Sequence, residues 1–179
     1  MTQSLPIRQR YRFTWNDLGD IAQGRPHLGP LLPVAVYRLV QYTMKEVLEA
    51  EFGPEKTGRI FVAAGRRAGQ EFCQNLLDPS LEPDAFLAQF QAKLKELAIG
   101  ILRLERGDLG NIEFLLNVSE DLDCSGLPCT NEVVCQYDEG FIAGVFEAYT
   151  GRPYVAKEID CWASGDRVCR FQVTKRQEP

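Results

Sequence analysis

The sequence predicts an α+β domain in which an antiparallel sheet, made of two or more hairpins, is covered by helices. Apolar residues recur at helical spacing in three runs between Pro33 and Gly100. They then alternate at strand spacing from Ile101 to Val118, and a second hairpin closes the chain after one further helical run. This order of three helices, a hairpin, a helix and a hairpin is typical of α+β proteins.

Length and charge narrow the possibilities before any single element is considered. The 179 residues fit one ordinary domain, which we place at residues 31–175 behind an N-terminal arm at 1–30. No apolar stretch is long enough for a membrane span, and a net charge of −5 without a basic stripe argues against direct binding of nucleic acid. The N-terminus has no secretory leader pattern, so we expect a cytoplasmic protein whose six cysteines serve metal binding, redox chemistry or packing.

The three N-terminal helices each have recognisable ends. The first begins at Pro33 and stops at Gly53-Pro54, and the third, DAFLAQFQAKLKELAIG, stops at Gly100. The second, from about residue 55 to 77, contains a run of small residues that would let a neighbouring backbone or a ligand approach closely; these are Gly58, Ala64, Gly65, Ala68 and Gly69.

The strands follow Gly100. ILRLERGDLGNIEFLLNV predicts a hairpin that turns at residues 107–110, and its second strand places four apolar side chains on one face: Ile112, Phe114, Leu116 and Val118. A helix from about Val134 ends at Gly151-Arg152-Pro153. YVAKEIDC and VCRFQVTK then form the second hairpin around WASGDR.

Three cysteines of the C-terminal part are expected to converge. Cys135 begins the late helix, and Cys161 and Cys169 flank the turn of the last hairpin. A zinc ion needs a fourth ligand. Glu158 lies three positions before Cys161, so the two side chains share a face only if the strand bulges near Asp160. The competing candidates are Cys124 and Cys129 in the preceding loop.

The segment from Cys135 to Val173 resembles the C-terminal half of the 4-vinyl reductase domain family, which includes the aromatic-sensing input domains of phenol- and xylene-responsive activators. The resemblance rests on Gly140 and Gly144, the run from Glu158 to Cys161, Gly165-Asp166, Cys169 and Phe171. It implies a fold similar to TRAPP subunits, a homodimer, and a structural zinc ion. The zinc ligands that it implies are Cys135, Glu158, Cys161 and Cys169.

The resemblance also implies what this chain binds and what it does not. Sensor members hold phenol with a His and a Trp, but here the single histidine, His27, lies in a loop, and Phe114 stands at the Trp position, so phenol itself is not implied. We expect a zinc-stabilised sensory domain for a small hydrophobic or aromatic molecule. The aromatic residues expected to line its pocket are Phe61, Phe72, Phe86, Phe90, Phe114 and Phe146.

Two other functions stay open from the sequence. One is a non-catalytic scaffold or partner-binding module, as in TRAPP subunits; the other is a redox or iron–sulfur protein that uses the clustered cysteines. Catalysis is less favoured, because the sequence has no nucleophile elbow, no helical His pair and no nucleotide-binding fingerprint.

Overall fold

The computed structural model describes residues 11–176, and the chain divides into two compact units, Met1–Leu31 and Leu32–Pro179. The described residues of the first unit form a 3-10 helix at Trp15–Leu18 and a short helix α1 at Ile21–Gly24. Residues 1–10 of the predicted N-terminal arm lie outside the described residues.

The second unit contains four longer helices. They are α2 (Val34–Phe52), α3 (Pro54–Leu76), α4 (Pro83–Glu96) and α5 (Gln136–Thr150). Gly53, at a φ of +80°, makes the sharp turn between α2 and α3 at the predicted position. Helix α4 ends before the predicted Gly100, and Ala98 adopts a φ of 54° just after it. Among the described residues, no helix is both long and apolar enough to cross a membrane.

The four strands form one antiparallel sheet. They are β1 (Ile101–Arg106), β2 (Glu113–Ser119), β3 (Tyr154–Asp160) and β4 (Cys169–Lys175), in the spatial order β1-β2-β4-β3. Both predicted hairpins are confirmed, and β2 pairs with β4 to join them. The buried face of β2 carries Phe114, Leu116 and Val118 as predicted, but Ile112 precedes the strand and is 59% exposed.

Helices α3 and α5 touch backbone to backbone. A Cβ atom added to Gly65 would lie 1.9 Å from the carbonyl oxygen of Tyr137, and one added to Gly140 would lie 2.0 Å from that of Val62. The close approach predicted from the small residues of α3 is therefore confirmed, and the partner is the glycine face of α5.

Helix α2 contacts the rest of its unit through polar side chains. The Tyr37 hydroxyl donates a hydrogen bond to the Asp123 carboxylate at 2.8 Å, and Arg38 Nε donates to the carbonyl of Leu122 at 2.8 Å. No residue of α2, all of which the structure describes, is buried, and Leu39 is 64% exposed. The apolar face of α2 therefore points to solvent.

Candidate functional site

Four cysteine side chains meet at the end of the sheet where α5 begins. Their sulfur atoms all lie within 4.8 Å of one another, and each cysteine is fully buried. Among the pairs, Cys135 and Cys161 are 3.8 Å apart, Cys135 and Cys169 are 3.9 Å apart, and Cys124 and Cys169 are 3.0 Å apart. A zinc ion with four sulfur ligands at about 2.3 Å sets sulfur atoms about 3.8 Å apart, so the cluster has the dimensions of such a site.

Each sulfur comes from a different local structure. Cys135 is the N-cap residue of α5, Cys161 follows β3, and Cys169 is the first residue of β4. Cys124 lies in the turn after β2, where the carboxylate of Asp121 accepts hydrogen bonds from the backbone N–H groups of Asp123 and Cys124 at 2.7 and 3.2 Å. The cluster therefore ties the connection between β2 and α5 to the last hairpin.

Glu158 lies beside this cluster. The register between β3 and β4 shifts between Glu158 and Asp160, which confirms the predicted irregularity, and Glu158 is only 3% exposed. Its Oε2 atom accepts a hydrogen bond from the backbone N–H of Cys135 at 3.0 Å, while Oε1 has no hydrogen-bond partner. Burial raises the pKa of Glu158 to about 8. Its carboxylate is not in the group of ligand atoms that lie within 4.8 Å of one another.

The structure separates the two cysteines between which the sequence could not decide. Cys124 joins the buried cluster, whereas Cys129 is exposed. Cys73, the remaining cysteine, packs in the hydrophobic core, where burial raises its thiol pKa to about 11. Cys124 carries no distinguishing signal in the sequence, because only the folded turn after β2 brings it to Cys169.

The donor set indicates which metal ions the cluster fits. Hydrogen bonds from the neighbouring thiols, Cys124 first, lower the pKa of Cys161, so the cluster favours at least one thiolate. Four thiolates in a tetrahedron suit zinc, or iron in an iron–sulfur type of site. A site with four protein ligands leaves no coordination position open, which is the pattern of a structural metal.

Three aspartates surround the cluster on the side of α2. Asp121 and Asp123 are 4% and 3% exposed, and the Asp123 carboxylate accepts hydrogen bonds from the Tyr37 hydroxyl and the Gln41 amide. Burial, with repulsion from Asp123, raises the pKa of Asp121 to about 7 and that of Asp138 well above its usual value. This end of the sheet therefore concentrates acidic groups inside the protein.

The aromatic residues predicted to line a pocket form a buried cluster, with one exception. The ring of Phe146 on α5 lies at its centre, 5.0 Å from Phe114 and 6.2 Å from Phe90 between centroids. Phe72 and Phe86 belong to the same core, joined by Phe141, Tyr149 and Tyr154, which the sequence did not single out. Phe61 instead lines a cleft of about 450 Å³ together with Lys45, Glu49, Thr57 and Gln136.

Comparison with known proteins places this site within a recognised domain. The family model of the 4-vinyl reductase domain matches residues 115–175, a range that contains Cys124, Cys135, Glu158, Cys161 and Cys169. An uncharacterized protein of Methanocaldococcus jannaschii is 29% identical over 160 residues, which cover 88% of this chain and 86% of that protein. A second uncharacterized protein of the same organism is 31% identical over 71 residues, 36% of this chain and 44% of that protein.

Solved structures agree with the sequence match. A vinyl-4-reductase family protein from Methanocaldococcus jannaschii superposes with a TM-score of 0.63 at 13% identity, covering 97% of this chain and all of that one. The phenol-responsive sensory domain of the transcription activator PoxR, solved with phenol, also gives 0.63 at 15% identity, over 82% of this chain and 76% of that one.

A third solved structure extends the fold comparison. Subunit 3 of the trafficking protein particle complex from Naegleria fowleri, covalently bound to palmitic acid, gives a TM-score of 0.59 at 10% identity, over 80% of this chain and 97% of that one. The resemblance to the 4-vinyl reductase domain family is thus confirmed, and the fold is the mixed helical and antiparallel-sheet fold shared by 4-vinyl reductase domains and TRAPP-like proteins.

Proposed function

We propose that this chain is a zinc-stabilised sensory domain that binds a small hydrophobic or aromatic molecule. The match to the 4-vinyl reductase domain and the shared fold of the PoxR phenol-responsive domain support a small-molecule-binding role. The observation that carries the choice of ligand is the buried aromatic cluster around Phe146, which offers edge-to-face partners for a further ring.

The proposed binding site lies between α4 and the sheet. Helix α4 supplies Phe86 and Phe90, and strand β2 supplies Phe114. These rings pack against Phe146, so a modest outward movement of α4 would open an apolar site between them. Aromatic side chains and few polar groups are the usual lining of a site for an apolar molecule.

Ligand-observed NMR with a panel of alkylbenzenes, phenols and fatty acids tests this proposal on the full chain. Phe90→Leu should weaken binding about two- to tenfold, because one aromatic contact contributes about 0.5–1.5 kcal/mol. Phe52→Leu is the matched control, since Phe52 is 48% exposed and lies on α2. Failure of every compound to bind, or equal weakening in both variants, would contradict a site at this cluster.

For the metal, we propose that Cys135, Cys161 and Cys169 bind zinc and that Cys124 supplies the fourth ligand. Glu158, the fourth ligand implied by the family resemblance, then orients Cys135 through the hydrogen bond from its backbone N–H. The position of the Cys124 sulfur within the group of four favours this assignment. Thiolate ligands need a reducing compartment, which agrees with the expected cytoplasmic location.

Elemental analysis of purified protein, with two variants, tests the metal assignment. We expect about one tightly bound zinc per chain, which Cys124→Ser loses and Glu158→Gln retains with affinity reduced about 10- to 100-fold. If Glu158→Gln abolishes zinc binding while Cys124→Ser keeps it, the family ligand set is correct for this chain. Iron in place of zinc would favour the redox alternative.

We further propose that two copies pair through the exposed face of α2. This stripe is formed by Val36, Leu39, Val40, Met44 and Val47. It contains no charged residue, so the same stripe of a second copy can pack against it about a two-fold axis. The expected mass in light scattering is twice the 20.2 kDa of one chain. A mass of one chain at micromolar concentration would refute pairing.

A further inference from the structure

A second group of potential metal ligands adjoins the four-cysteine cluster. One carboxylate oxygen each from Asp121 and Asp138 and the sulfur of Cys135 lie within 4.8 Å of one another. Asp121 lies in the turn after β2, Cys135 caps α5, and Asp138 is in the first turn of that helix. Cys135 belongs to both groups, so its sulfur lies between the four-cysteine cluster and the two carboxylates.

Unpartnered oxygens are concentrated around this second group. Within residues 11–176, four buried side-chain atoms lack a hydrogen-bond partner, and three of them belong to Gln41, Asp138 and Glu158. Asp138 is itself a member of the group. Glu158, 3% exposed, binds the backbone N–H of Cys135, and Gln41 binds Asp123 in the same turn as Asp121. All three atoms are oxygens that can accept but not donate when the carboxyls are ionised.

The charge balance of this region is also one-sided. Asp121, Asp123, Asp138 and Glu158 face the cysteines, and Arg38 is the cation that contacts the turn. Its guanidinium donates to the backbone carbonyls of Asp121, Leu122 and Ser125. Buried carboxylates without a compensating positive charge are costly, and a metal cation supplies that charge directly.

We infer that Asp121, Cys135 and Asp138 form a second divalent-cation site, which shares the Cys135 thiolate with the proposed zinc centre. The inference rests on that proposed centre for the shared ligand. Two carboxylate oxygens and one thiolate suit a borderline cation such as Zn²⁺ or Co²⁺. Three protein ligands leave a coordination position open, so this site, unlike the four-cysteine site, can accept water or an oxygen atom of a small molecule.

The test is the zinc stoichiometry of the full chain, stripped with a chelator and titrated in equilibrium dialysis with zinc alone. Wild-type protein should bind two equivalents. Asp138→Asn should keep the first and bind the second at least about tenfold more weakly, since the amide cannot replace a charged ligand. Asp123→Asn is the matched control: it removes the same charge from the same cluster, but the Asp123 carboxylate is already held by Tyr37 and Gln41.

The outcomes distinguish this inference from the proposed function. One equivalent in wild-type protein overturns the second site and leaves the zinc centre intact, whereas no bound zinc overturns both. Equal loss of the second equivalent in Asp138→Asn and Asp123→Asn overturns the ligand assignment, because charge alone would then account for binding. The wild-type stoichiometry decides the question even if Asp138→Asn does not fold, which far-UV circular dichroism would show.

Discussion

Helices α5 and α2 depart in opposite directions from the usual distribution of polar and apolar residues. Where α5 begins, four thiols and the carboxyl groups of Asp121, Asp123 and Glu158 are buried. Along α2 no residue is buried, and Leu39, Val40 and Val47 are more than half exposed. Buried polar groups and contiguous exposed apolar side chains are the two informative exceptions in a soluble domain.

The difference teaches that the two regions need different partners. Buried thiols and carboxyls are stable when a cation or protons neutralise them. A continuous apolar stripe is stable when another apolar surface covers it. The α5 region therefore points to a metal and the α2 region to a protein, and substitutions in each should have effects of very different size.

The largest effect is expected where α5 has no free space. In Gly65→Ala the new methyl group would lie 1.9 Å from the carbonyl oxygen of Tyr137, so α3 and α5 must separate. The free energy of unfolding, measured with denaturant, should fall by more than about 3 kcal/mol, at the upper end of overpacking effects.

Gly58→Ala provides the control within the same helix. A Cβ atom at Gly58 would come no closer than 3.8 Å to the side chain of Gln136. Because alanine favours helix over glycine, this variant should gain up to about 1 kcal/mol. Equal destabilisation by both substitutions would show that the helix contact is looser than the glycine spacing indicates.

The next effect concerns removal of the metal. Cys161→Ser, or a chelator added to the wild-type protein, should release the metal and lower the thermal midpoint, because metal binding contributes to folding free energy. Cys129→Ser is the control, since its thiol is exposed and outside the cluster; it should change stability by less than about 0.5 kcal/mol. Alkylation followed by mass spectrometry should label Cys129 first and the cluster only after chelation.

The sequence anticipated the elements of the α5 region well because their signals are local. Both hairpins, the start of α5 at Cys135 and the irregularity near Asp160 follow from periodicity, turn residues and strand alternation. The choice between Cys124, Cys129 and Glu158 does not, because it depends on which side of a turn faces β4. That information is tertiary and has no periodic pattern.

The orientation of α2 shows the same limit. Its apolar spacing predicted an amphipathic helix, and the helix is present at Val34–Phe52. Periodicity identifies an apolar face but does not say what covers it. Here Tyr37, Arg38 and Gln41 on the opposite face contact the turn at Asp121–Ser125, and that contact could only be found in the fold.

A smaller effect should follow from Arg38→Ala on the inner face of α2. The guanidinium donates to the carbonyls of Leu122 and Ser125 at 2.8 and 2.9 Å. Loss of hydrogen bonds from a charged group costs about 1.5–3 kcal/mol, so we expect about 2 kcal/mol in denaturant unfolding. Arg38→Lys should recover part of this loss. A change below about 0.5 kcal/mol would mean that the polar face does not hold α2 in place.

The smallest effect on the folded monomer should come from the next residue, which points the other way. Leu39 is 64% exposed, so Leu39→Gln should change the free energy of unfolding by less than about 0.5 kcal/mol at dilutions where pairing is negligible. The same substitution places a polar amide in the apolar stripe and should shift the mass in light scattering from two chains to one. If Leu39→Gln destabilises the dilute monomer more than Arg38→Ala does, then the apolar face of α2 packs within its own chain. The contrast between the two helices would then be lost, because both would bury their apolar side chains.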